Sequence, residues 1–211
     1  MAPSVPTAAP SAEPTANPTV INEDGFVLLE NHENVADGYF SSDVVSSGVE
    51  NAADPSANTY CIIGSVDPAD YQFEGGYYWL KLIYRYTDGT NDTLEWTQTS
   101  WITADNITGA DLFGVGEEDD SLIAGQMFHG LALSSSSKSY LDGTDDHTNW
   151  WHAVASTTAH NGGIPGHNKS VAYSSSLWIL SPGILVAEPV QLSSAQLTLP
   201  LQSPFTEFTP K

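Results

Sequence analysis

Basic residues are almost missing from this chain. Five Lys and Arg stand against 26 Asp and Glu in 211 residues, a formal net charge of −21. Nucleic-acid binding draws its affinity from Lys and Arg that displace counterions from phosphates, so the charge balance argues against that class of partner. It argues equally against docking on an anionic membrane surface. Cysteine occurs once, at Cys61, so an intrachain disulfide is excluded. Within the apolar run Tyr60-Cys61-Ile62-Ile63 it reads as an inert core thiol. No apolar run approaches the ~18 residues that a membrane-spanning helix needs. The opening Met1-Ala2-Pro3-Ser4 has neither the basic nor the apolar stretch of a signal peptide. Long amphipathic helices are also missing, as are a His-Glu-x-x-His zinc motif and a Gly-x-Ser-x-Gly nucleophile elbow.

What the chain does have is aromatic and β-forming. Six Trp, nine Tyr and seven Phe can fill a core without covalent staples. Residues 1–19 are nearly all Pro, Ala, Ser and Thr, with Pro3, Pro6, Pro10, Pro14 and Pro18 every three or four positions. That composition predicts an extended, disordered stalk. A β-rich globular domain is expected over 20–199, followed by a Pro-containing tail at 200–211. Residues 77–86 alternate, with Tyr78, Leu80, Leu82, Tyr84 and Tyr86 on one face and Tyr77, Trp79, Lys81, Ile83 and Arg85 on the other. Asp88-Gly89 supplies a turn, and 93–99 answers as the second strand of a hairpin. Further strands are predicted at 26–29, 111–115, 127–133, 150–156, 171–180 and 184–199. The apolar run 60–66 is a second short core segment, and one short helix fits within 35–58. Turn signals between strands point to a mostly β fold, a single antiparallel β-sandwich or barrel-like domain with long loops.

The candidate site lies at 141–166. Asp142, Asp145, Asp146 and Asn149 crowd one acidic turn, and a hard cation such as calcium takes several oxygens from one loop. Asp88, Asn91 and Asp92 form a lesser group of the same kind. Neither matches an EF-hand loop, and a solvated turn is the rival reading of both. Adjacent Trp150 and Trp151, if on a strand, point to opposite faces. Trp151 then shares the outward face with Ala153 and Ala155, and Trp150 shares the other with His152 and Val154; the rival reading is that the alanines mark close packing against another sheet, with Trp151 in the core. Trp150, Trp151, His152 and Asn149 are therefore the candidate ligand-binding set, an outward indole serving to stack on a sugar ring. Asn91, Asn106 and Asn168 each open an Asn-x-Ser/Thr glycosylation triplet. The histidine pairs 147/152 and 160/167 lack cysteine partners and read as loop or edge residues. Glu95, in a strand between aromatics, is the best single candidate for an acid if the chain is a hydrolase.

Seven short blocks resemble a poorly characterised extracellular module of marine eukaryotes, often found beside fibrinogen-like or lectin-like domains. They are residues 78–86, 95–100, 130–135, Leu141-Asp142-Gly143, 149–156, Gly162-Gly163-Ile164-Pro165-Gly166 and 176–179. The stalk resembles those of secreted diatom and stramenopile proteins. The resemblance implies an ectodomain and carries no residue roles. The expected function is a secreted, non-catalytic, lectin-like module for glycan or extracellular matrix, calcium-assisted if the acidic turn is occupied. The rivals are a self-assembling cell-wall or appendage protein and an extracellular glycan hydrolase that uses paired carboxylates. The stalk's composition cannot bury enough apolar area to offset its ordering. Deleting residues 1–19 is therefore expected to leave the melting temperature unchanged; a drop of several degrees in a thermal melt would contradict it.

Overall fold

The computed structural model describes residues 19–22, 24–35, 38–113, 127–144, 151–167 and 170–183. Among them the chain forms a mostly antiparallel β domain of the sandwich-like kind, with no closed barrel. The strands are β1 (Phe26–Glu33), β2 (Thr59–Cys61), β3 (Tyr78–Arg85), β4 (Asn91–Gln98), β5 (Asp111–Phe113), β6 (Phe128–Leu133), β7 (Ser139–Thr144), β8 (Val154–Ser156), β9 (Ile164–Pro165), β10 (Val171–Ala172) and β11 (Ser174–Leu180). A six-stranded sheet runs β2-β1-β11-β3-β4-β5, a three-stranded sheet runs β6-β7-β8, and β9 pairs with β10. One short helix, α1 (Val44–Ser47), falls within the segment where a helix was expected.

The β3–β4 hairpin forms as its alternation predicts. Tyr78, Leu80, Leu82 and Tyr84 are buried, while Trp79, Lys81, Ile83 and Arg85 are half-buried on the opposite face. Residues Leu94, Trp96 and Gln98 continue the inner face on β4. At the turn, Tyr86 N–H donates to Thr90 O at 3.0 Å and Gly89 adopts φ +87°, a backbone that favours glycine. The Asp88 carboxylate closes the loop by accepting from the Thr90 N–H and O–H. Strand β11 then inserts between β1 and β3, so the two sequence-distant ends of the domain meet at the sheet's centre.

The inner face packs on the short sheet through Gln98. Its Oε1 accepts from the Trp96 indole and from Leu131 N–H, at 2.8 and 2.9 Å. Its Nε2 donates to Leu131 O and Ser100 O, each at 2.9 Å. One buried amide therefore ties β4 to β6 while satisfying backbone groups that have no water to turn to.

Several expectations need correction. Strand β1 continues to Glu33 rather than stopping at residue 29, because Glu30 and His32 are buried in it despite their polarity. The run 60–66 is a strand only to Cys61 and then tightens into a 3₁₀ turn at Ile63–Ser65. Strand β7 was not anticipated from its Ser-Tyr-Leu-Asp-Gly-Thr sequence. The strand expected at 150–156 spans only Val154–Ser156, with Trp151 and His152 in the preceding turn. The predicted strand 184–199, the tail 200–211 and residues 1–18 of the stalk lie outside the described residues.

Leu82 is closed to solvent at the middle of the central hairpin. Leu82→Ala is expected to cost about 2–5 kcal/mol in chemical denaturation, and Leu82→Asp to abolish soluble expression by placing an unpaired charge in the core. Normal melting of either variant would refute this placement.

Candidate functional site

Of the residues expected to form a ligand shelf, Trp151 and His152 lie among the described residues, both in a turn ahead of β8. His152 takes a left-handed backbone, φ 58°, so Trp151 and His152 are not extended as strand residues. Its ring is fully buried, 5.2 Å from Phe128 and 5.4 Å from His167 between centroids. Gly143 makes room for it, since a Cβ there would stand 2.7 Å from the Phe128 ring and 2.9 Å from the His152 Cβ. Ala155 is also left-handed, φ 54°, and Ala153, Val154 and Ala155 are all buried. The alanines that were to floor an open shelf therefore mark close packing. Trp151 is half-buried and stands edge-on to His160 at 4.8 Å. Trp150 and Asn149 lie outside the described residues.

Asp142 sits in strand β7 rather than in an open turn, and it is fully buried. Its Oδ1 accepts from Thr144 N–H and O–H, both at 2.8 Å. Asp145 and Asp146 fall outside the described residues. Among the described residues no three His, Cys, Asp or Glu side chains gather as a metal site. Of the glycosylation triplets, Asn91 and Asn106 are exposed; Asn168 is not among the described residues. Cys61 is buried, its thiol donating to Gly48 O at 3.1 Å, and burial pushes its ionisation far above the ordinary value, which fits an inert thiol.

A polar seam that the sequence did not advertise runs between the two sheets. The Glu30 Oε1 accepts from Ser175 O–H at 3.1 Å and from Ala155 N–H at 3.4 Å. His32 Nε2 lies 2.7 Å from Gly38 O; a carbonyl only accepts, so Nε2 carries the proton. Burial pushes the Glu30 carboxyl up to about 8 and holds His32 down at about 4. Both groups are therefore neutral in the fold near pH 6.

The outer face of the six-stranded sheet carries a different constellation. Trp178 of β11, Lys81 of β3, Glu95 of β4 and Phe113 of β5 stand in one cross-strand row, which covers roughly 14 Å at ~4.8 Å per strand. Trp79 joins the row by donating its indole N–H to Glu95 Oε1 at 2.8 Å. Lys81 Nζ lies 3.4 Å from Glu95 Oε2 and 4.0 Å from the centre of the Phe26 ring. The Trp79 and Phe113 rings are 5.4 Å apart and tilted by 44°, and Phe113 is 42% exposed. Trp178 is fixed by an indole bond to Ser176 Oγ at 3.0 Å. An exposed ion pair is worth only ~0–1 kcal/mol. Here the pair matters by position, because Glu95 holds both the Lys81 ammonium and the Trp79 indole. At the far end of β4 a cleft of about 210 Å³ is lined by Asn91, Asp92, Thr93, Leu94 and His167, of which Asp92 and Leu94 alternate onto the inner face.

Sequence reasoning placed Trp79 and Lys81 on the outer face of β3 and singled out Glu95, but it did not join them to Phe113 and Trp178. The signal available was the alternation of β3 and β4; the missing fact was which strands flank them. Compared with protein-family models, curated proteins and solved structures, the chain matches none.

The buried pair sets the pH response. Above the ordinary Glu value of 4.5 the folded state keeps a Glu30 proton that the unfolded chain has lost, so stability falls as pH rises toward about 8. Below the ordinary His value of 6.5 the unfolded chain gains a proton that folded His32 refuses until about 4, so stability falls as pH drops. Between 4.5 and 6.5 the two contributions offset. We expect Glu30→Gln to flatten the loss above pH 6.5, which this one group would otherwise make about 1.4 kcal/mol per pH unit. Parallel melting curves for wild type and variant from pH 6.5 to 8 would refute it.

Proposed function

We propose that this chain is a secreted, non-catalytic, lectin-like module whose glycan ligand lies on the outer face of the six-stranded sheet. The observation that carries the reading is the row Trp178, Lys81, Glu95 and Phe113, joined by Trp79. A pyranose ring presents C–H groups on its face and hydroxyls on its rim. Aromatic side chains meet the first and an ordered Lys–Glu pair meets the second, on strands whose mutual register is fixed. Thr93 and Thr97 extend the hydroxyl-bearing surface on the same face of β4. The extracellular location rests on the three glycosylation triplets, the Pro-rich stalk and the resemblance to an extracellular module.

The hydrolase reading has less support. Glycoside hydrolysis needs two carboxyl groups reaching one substrate, and Glu95, the acid candidate, is bonded to both the Lys81 ammonium and the Trp79 indole.

A glycan array run with and without calcium tests the proposal. Trp79→Ala and Phe113→Ala are each expected to weaken the best ligand at least tenfold, about 1.4 kcal/mol. Trp151→Ala is expected to leave binding unchanged. Absence of any glycan ligand, or full binding by both platform variants, would overturn it. Concentration-dependent self-association lost on Phe113→Ala would instead assign the face to assembly.

A further inference from the structure

The platform has a charged end. Of 26 acidic and five basic residues, only Lys81, Arg85 and Lys138 are basic among the described positions. Two of these three stand on the outer face of β3. Lys81 is answered by Glu95 and by the Phe26 ring. Arg85 is half-buried, and among the described residues no ion pair or hydrogen bond reaches its guanidinium.

No carboxylate forms an ion pair with it among the described residues. In the cross-strand row it stands between Ser174 and Asn91. The nearest acid along that row is Glu33, opposite Ser174, two strands or roughly 10 Å away and beyond ion-pair reach. The carboxylates of the neighbouring turn are occupied: Asp92 accepts from the Tyr86 hydroxyl at 2.8 Å, and Asp88 accepts from Thr90 at 2.7 and 2.9 Å. Arg85 lies six residues along β3 from Trp79, roughly 20 Å at ~3.4 Å per residue. A chain lying along the strand from the aromatic end would therefore reach it.

We infer that Arg85 is the anion-recognising end of the platform, and that the glycan bound there is an acidic polysaccharide carrying carboxylate or sulfate groups. This rests on the glycan-binding reading above. Guanidinium presents a planar fork of donors that matches either oxyanion in a bidentate pair. The net charge of −21 opposes a polyanion over most of the surface, so an oxyanion is held only where Arg85 stands with no carboxylate paired to it among the described residues.

The test uses the full chain made without N-glycans, since a sugar on Asn91 would sit beside Arg85. Titration calorimetry with alginate, a sulfated galactan and the neutral glucan laminarin separates carboxylate, sulfate and uncharged ligands. Wild type is expected to bind at least one acidic polymer tenfold or more tighter than laminarin. Arg85→Gln should erase that preference while leaving laminarin binding and the melting temperature unchanged, and Arg85→Lys should restore it in part. An acidic preference that survives in Arg85→Gln, or a wild type that prefers laminarin, overturns the role of Arg85 and leaves the glycan reading standing. Failure to bind any of the three polymers overturns both.

Discussion

Closing a second, shorter sheet over the inner face of the large one is the constraint on which the rest depends. Leu80, Leu82, Leu94, Trp96, Leu177 and Ile179 are sealed from water there, and apolar burial of this kind contributes about 25 cal/mol per Å². Hydrophobic contact alone does not fix where the short sheet sits, because it is non-directional. The Gln98 amide supplies direction. It bonds both the N–H and the C=O of Leu131 and also takes the Trp96 indole. Gly130 lets β6 approach, since a Cβ there would stand 2.8 Å from Gln98 Oε1. With β6 placed, Phe128 lies against Trp96 at 4.8 Å and His152 against Phe128 at 5.2 Å. The amide thus ties β6 to β4, and Phe128 and His152 pack in turn behind that junction.

That arrangement explains why the described residues of the most conspicuous motif in the sequence are mostly interior. Two adjacent tryptophans after an acidic turn suggest an open shelf only if the chain is extended through them. Positive φ at His152 and Ala155 twists the segment instead, so that residues 152 to 156 are all buried. Such conformations are costly for residues with a Cβ and persist only where packing over-determines them. Here the packing is the histidine ring between Phe128 and His167, and the Ala155 N–H directed at Glu30.

Legibility in the sequence followed burial pattern and locality. The hairpin of β3 and β4 was readable because its alternation is regular and Asp88-Gly89 marks its turn. Strand β1 was read short because buried Glu30 and His32 look like surface residues; neutrality inside the fold is a tertiary effect that no local window carries. Strand β7 was missed because Asp142 and Thr144 look like surface residues, although both are buried in it with Thr144 donating to Asp142 Oδ1. The outer platform was half readable. Trp79, Lys81 and Glu95 came from one hairpin, whereas Phe113 and Trp178 join them only through the strand order β11-β3-β4-β5. Sequence separations of this size encode nothing about adjacency until topology is known.

The same hairpin therefore serves two surfaces, and its register couples them. Leu82 pairs with Leu94 and with Leu177 on the inner face, while Lys81 pairs with Glu95 and with Trp178 on the outer one. Because side chains alternate with a period of two, a slip of one residue would drive Lys81 and Trp79 into the core and Leu80 and Leu82 out of it. The free energy that fixes the core register also fixes the outer row, without any contribution being required from the weak Lys–Glu pair. The platform is in consequence preorganised by burial on the opposite side of the same strands. A ligand arriving there would not bear the cost of ordering its backbone, only that of settling a few half-buried side chains.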